Sequence, residues 1–142
     1  MSIDIAQFLD VFYEESFEGL DIMEAGLLEM PSGPVEGELI NSIFRAAHSI
    51  KGGGGTFGLS DVSDFTHVME TLLDQMRAGQ REMSAEANEA LLQSVDCLRE
   101  MLTAKQQGTA VDEARVNEHK QHLESLLGAE PTPVAESSAE ST

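Results

Sequence analysis

Apolar residues recur at three- and four-residue steps through five stretches of this chain, and a glycine or proline follows each one. That period gathers side chains on one face of an α-helix and on no single face of a strand. From Asp4 to Met30 the stripe is Ile5, Phe8, Leu9, Phe12, Leu20, Met23, Leu27 and Met30, stopped by Pro31, Gly33 and Pro34. From Glu36 to about Phe57 it is Leu39, Ile40, Ile43, Ala47, Ile50 and Phe57, before Gly58. Ser60 or Asp61 is the expected cap of a third helix, which carries Val62, Phe65, Met69, Leu72, Leu73 and Met76 towards Gly79. Ser84 opens a fourth, with Leu91, Val95, Leu98, Met101 and Leu102 inward, broken at Gly108. A shorter fifth runs from about Asp112 to Leu127. Short connections between amphipathic helices predict an all-α fold: an antiparallel up-down four-helix bundle plus a fifth, C-terminal helix. Aromatics make up only 5% and there is no Trp, so Leu, Met and Ala do most of the packing.

The bundle is expected to occupy residues 1–128. The remaining AEPTPVAESSAEST, residues 129–142, has one large apolar residue and reads as a flexible acidic linker. Such a tether suggests a piece of a longer protein. The formal charge of -18 makes nucleic acid and anionic membrane poor partners. Ten acidic residues precede Arg45, the first basic one, so no signal peptide is expected. With no apolar run long enough for a membrane span, a cytoplasmic location is the default expectation. Cys97 is alone and has no internal disulfide partner.

The stretch AHSIKGGGGTFG, Ala47 to Gly58, departs from this economy. Four glycines inside a helix cost roughly 3–4 kcal/mol relative to alanine. On a helical wheel His48 falls roughly 130° from the centre of the apolar stripe, facing solvent or a groove edge. Folding the second and third helices into a hairpin about Leu59 sets His48 level with Glu70 and Lys51 level with His67. Glu70 lies at the flank of its stripe, able to reach across; His67 points further out. A carboxylate holding Nδ1–H of an imidazole leaves the Nε2 lone pair as a nucleophile. Lys51, one turn past His48, would offset charge on a phosphoryl group placed there. Gly52 and Gly55 share the His48 face, so with Gly53 they would leave room for a partner's active site to close over the ring. Gly54 falls on the inward stripe.

FRAAHSIKGGGGTFG followed by HVMETLLD resembles the histidine phosphotransfer domains of CheA-type chemotaxis kinases, from about Ile3 to Gly128. That family usually carries Ala where Gly54 stands. The resemblance implies that His48 is phosphorylated on Nε2, that Glu70 hydrogen-bonds its Nδ1, and that Lys51 and His67 complete the network. It further implies a phosphoryl donor, ATP with magnesium, held by a separate kinase catalytic domain, and response regulators of the CheY and CheB type as acceptors. No cofactor is expected in this segment, and the isolated domain is expected to be a monomer. Two other readings stand beside it: a metal site at His48, His67 and Glu70, disfavoured by Lys51 beside them, and a purely structural or adaptor bundle that docks an amphipathic helix or a fellow domain without using His48 or Glu70. KGGGGT is not a P-loop, because its lysine precedes the glycines. His119 falls on the apolar stripe of the fifth helix, with His122 beside it, and is expected to be partly buried and structural.

Overall fold

The computed structural model describes residues 5–128, and among them the regular structure is entirely helical. The linker expected at 129–142 lies outside the described residues. The helices are α1 (Ile5–Glu29), α2 (Gly37–Thr56), α3 (Ser60–Arg77), α4 (Ala85–Gln107) and α5 (Glu113–Gly128). Their bounds fall within a residue or two of those the apolar periodicity predicts. α1 packs on α2 and α4, α3 packs on α2 and α4, and α5 lies against α3 and α4. One continuous core runs between them, built from residues such as Leu20, Met23, Ile43, Phe65, Met69, Leu73, Leu91 and Leu98.

Close approaches fix the α1–α2 contact. Gly19 sits against Ala46, and a Cβ on Gly26 would come within 2.7 Å of Ile43 Cδ1. Higher numbers on α1 meet lower numbers on α2, so the two helices run in opposite directions. At one end the α1–α2 and α3–α4 loops are tied by a short bridge, with Gly33 N donating to Met83 O at 2.7 Å and Met83 N to Gly33 O at 2.9 Å. Asn88 of α4 donates to the carbonyls of Leu27 and Met30 and so ties α4 to the end of α1.

The far end carries the α2–α3 turn. Gly58 adopts φ +74°, a left-handed conformation that side chains resist. Leu59 N bonds back to Gly54 O and Gly58 N to Gly55 O, closing α2 with a Schellman motif. This tight reversal leaves no room for the separate Ser60 or Asp61 cap expected from the sequence. Leu59 occupies the cap position without a side-chain bond, and Asp61, already inside the helix, accepts from Val62 N through Oδ1 at 2.9 Å and pairs with Lys105 through Oδ2 at 2.9 Å. A second difference concerns Ile5 and Phe8, which are exposed rather than inward. Phe12 is already level with Gly53 and Phe57 at the end of α2, so the first turns of α1 overhang the neighbouring helix.

Arg81 was invisible to the periodicity. It is 5% exposed, donates through Nε to Gln75 Oε1 at 2.9 Å and through Nη1 to Leu126 O at 3.3 Å, and so fastens the end of α5 to α3. Among the described residues no helix is long and apolar enough to cross a membrane.

Candidate functional site

The α2–α3 hairpin sets the site. Because the turn at Gly58 is tight, the outward faces of both helices are in fixed register. His48 Nδ1 lies 2.5 Å from Glu70 Oε2, and Lys51 Nζ lies 2.5 Å from Glu70 Oε1. A carboxylate has only acceptors to offer, so the imidazole carries its proton on Nδ1 and donates it to Glu70. Nε2 is thereby left with its lone pair. The two partners differ sharply in exposure: the His48 side chain is 62% exposed and that of Glu70 only 9%.

Burial pushes the Glu70 carboxyl up, but the hydrogen bonds from Lys51 and His48 and the charge of Lys51 outweigh it and hold the group below its ordinary value. Both carboxylate oxygens are thus engaged, and the group stays ionised in the neutral range. Lys51 is committed to Glu70, which makes it a support of the carboxylate in this state. Ser63 of α3 donates to the Lys51 carbonyl at 3.1 Å and ties the two helices beside the pair.

The four glycines divide. Gly52 is exposed, with nothing within 4 Å of a Cβ built on it, and Gly55 would meet only Ser63 Oγ at 3.7 Å. Both lie on the open side with His48. Gly53 differs from the expectation that it clears access to His48: a Cβ there would run into the Phe12 ring, so its bareness serves the α1 contact. Gly54 is buried, and its Cβ would stand at 3.4–3.5 Å from Ser63 N, Leu59 O and Val62 Cγ1, which is ordinary contact.

His67 is exposed, and among the described residues its ring makes no hydrogen bond or ion pair, so the contacts at the site join His48, Glu70 and Lys51. Sequence reasoning missed Phe44. One turn before His48, its ring stacks on the imidazole, and Arg77 of α3 lies over it. An aromatic next to an apolar stripe reads as core, and an arginine in a last helical turn reads as a dipole partner; neither signal pointed to the site. The remaining histidines lie elsewhere. His119 is half-buried on α5, with Nε2 buried and without a partner, and His122 faces Glu86 at 3.4 Å. Among the described residues no three His, Cys, Asp or Glu side chains converge as a metal-ligand set.

The arrangement leaves an exposed imidazole with one nitrogen held by a buried carboxylate and the other open. Comparison with known proteins identifies the family. The family model of the Hpt domain matches residues 7–108. This chain belongs to the Hpt domain family. The Hpt chain is 39% identical over 141 residues to the chemotaxis protein CheA of Rhizobium meliloti, covering 99% of this chain and 19% of that protein. It is 40% identical over 114 residues to CheA of Salmonella typhimurium, covering 80% of this chain and 17% of the other. It therefore spans about a fifth of the length of these relatives. A crystal structure of the phosphorylated P1 domain of CheA3 in complex with CheY6 from R. sphaeroides superposes on this Hpt fold with a TM-score of 0.75. The two are 29% identical, and the match covers 84% of this chain and 94% of that one.

Proposed function

We propose that this chain is the phosphotransfer domain of a CheA-type chemotaxis kinase and that His48 is its phosphoryl carrier. The observation that carries the reading is the buried Glu70 carboxylate holding Nδ1 of an otherwise open imidazole. In the forward step the Nε2 lone pair attacks the γ-phosphorus of ATP held with magnesium on a separate kinase domain. The Nε2–P bond forms, the bond from phosphorus to the bridging oxygen breaks, and ADP leaves. Nδ1–H stays on the ring throughout, and its bond to Glu70 stabilises the positive charge that develops there. In the second step an aspartate oxygen of a CheY- or CheB-type regulator attacks the same phosphorus, and the electron pair of the Nε2–P bond returns to the ring.

Glu70 orients the nucleophile, Lys51 keeps Glu70 ionised and in place, and Gly52 and Gly55 leave space for the incoming active site. His67 has no part in this reading. The phosphotransfer domain is assigned to residues 1–128, with α1 to α4 as an up-down bundle and α5 as its addition. The segment 129–142 serves as a linker to the rest of a kinase working in the cytoplasm.

The test is direct. Incubated with a CheA kinase domain, magnesium and ATP labelled at the γ-position, the chain should take up acid-labile, base-stable phosphate, and His48→Gln should take up none. Full labelling of the His48→Gln protein would refute the assignment.

A further inference from the structure

One hydrogen bond does not fix an imidazole. The last torsion of histidine is broad, and a ring that is 62% exposed has little packing to narrow it. Glu70 holds the Nδ1 edge but leaves the ring free to swing about that bond. A second restraint lies on the ring's face. The Phe44 and His48 rings have centroids 6.0 Å apart and planes within 16° of each other, an offset stack between residues one helical turn apart.

Phe44 is itself restrained. The guanidinium carbon of Arg77 sits 3.9 Å from the Phe44 ring centroid, a cation–π contact across the α2–α3 seam. Arg77 is held in turn by Asp74, whose Oδ1 accepts from Nη2 at 2.7 Å and from Nε at 3.3 Å. Glu70, Asp74 and Arg77 follow one another at four- and three-residue steps along one face of α3. That face therefore reaches His48 twice, at its edge through Glu70 and at its plane through Arg77 and Phe44.

We propose that Phe44 is a positioning residue for His48, its ring, backed by Arg77, setting the plane of the imidazole that Glu70 holds by the edge. The proposal rests on the phosphotransfer reading of His48 for its kinetic consequence, but the geometry is testable without it. A merely structural Phe44 would act on stability alone. A positioning Phe44 acts on turnover with little effect on how tightly the kinase domain binds this chain.

The experiment pairs kinetics with NMR on the full chain. Phe44→Leu removes the ring, and Phe44→Tyr keeps it. With a CheA kinase domain and Mg-ATP, Phe44→Leu should lower kcat for His48 labelling by about two- to tenfold, the worth of an aromatic stack. KM for the chain should not change, and Phe44→Tyr should stay near wild type. The His48 ring-proton resonances should lose their ring-current displacement in Phe44→Leu and keep it in Phe44→Tyr. A folded Phe44→Leu protein with wild-type kcat, or one whose loss appears in KM alone, overturns the proposal. Should Phe44→Leu not fold, Arg77→Gln at the exposed end of the stack takes its place: unmoved His48 ring resonances in that variant also overturn it. Absence of label on the wild-type chain would instead refute the phosphotransfer reading, while the NMR still reports whether the stack exists.

Discussion

On one side of α2, Gly52 and Gly55 stand open beside His48, where added methyl groups would meet nothing closer than Ser63 Oγ at 3.7 Å. On the other, Gly53 is pressed by the Phe12 ring and Gly54 is buried against the α2–α3 turn. Helix propensity treats all four alike, at about 0.8–1 kcal/mol each relative to alanine. The structure separates them. Only Gly53 lacks room for a side chain, and nothing in the packing requires glycine at 54. The two on the open side give up helix stability for no contact within the domain, which is intelligible if something outside the domain approaches there. One face of α2 is thus shaped by its own fold, and the other is left open, as the proposed approach of a partner requires.

The largest effect that sharpens this division is expected from Glu70→Ala. The carboxylate is itself buried on α3, but it serves the open face of α2 through its bonds to His48 and Lys51. Its removal frees the tautomer and the ring orientation, and should slow labelling of His48 by about ten- to a hundredfold, by analogy with losing the carboxylate that orients a metal-bound imidazole. Helical content should be unchanged, since Lys51 is partly exposed and can turn to water. Equal rates for Glu70→Ala and wild type would place the carboxylate with the structural residues.

Gly53→Ala should show the opposite profile. A methyl group there displaces Phe12, whose ring is also packed against Tyr13 and Phe57. Overpacking of this kind costs about 1–3 kcal/mol, partly offset by the better helix former. A net loss of about 1 kcal/mol in denaturant unfolding is expected, with His48 labelling unchanged in the protein that remains folded. A stabilised Gly53→Ala would mean that Phe12 gives way at no cost, and the contrast between the faces would weaken.

Much of this was legible beforehand because helices carry a strict period and tight hairpins a strict register. Leu20, Met23, Ile43, Phe65 and Leu73 are buried where their spacing puts them, and the pairing of His48 with Glu70 follows from the position of the turn. What was not legible depends on a third element. The side of α2 covered by α1 decides the role of Gly53, and no pattern within α2 reveals it. The overhang of α1 exposes Ile5 and Phe8, although their spacing is as regular as that of Leu20 or Met23. Arg81 lies among polar residues and reads as a solvated turn, yet α5 buries it. The α3 cap was misplaced because the Gly58 reversal starts the helix at once.

The smallest effects come from two substitutions that should look identical by stability. Gly54→Ala and Gly52→Ala each replace a helix-interior glycine where a methyl group fits, so each should stabilise the fold by about 0.5–1 kcal/mol. Their labelling rates should differ. The methyl group at 54 is sealed inside, next to Val62, and leaves the rate as it was. The one at 52 projects beside His48 into space an incoming active site would use, and should lower kcat/KM a few-fold with the kinase domain. Thermal melts establish whether both gains in stability are real, and parallel labelling then asks whether only the outer one affects the rate. Matching rates would show that bareness at 52 is not kept for access, and the open face of α2 would lose the feature that most distinguishes it from the packed one.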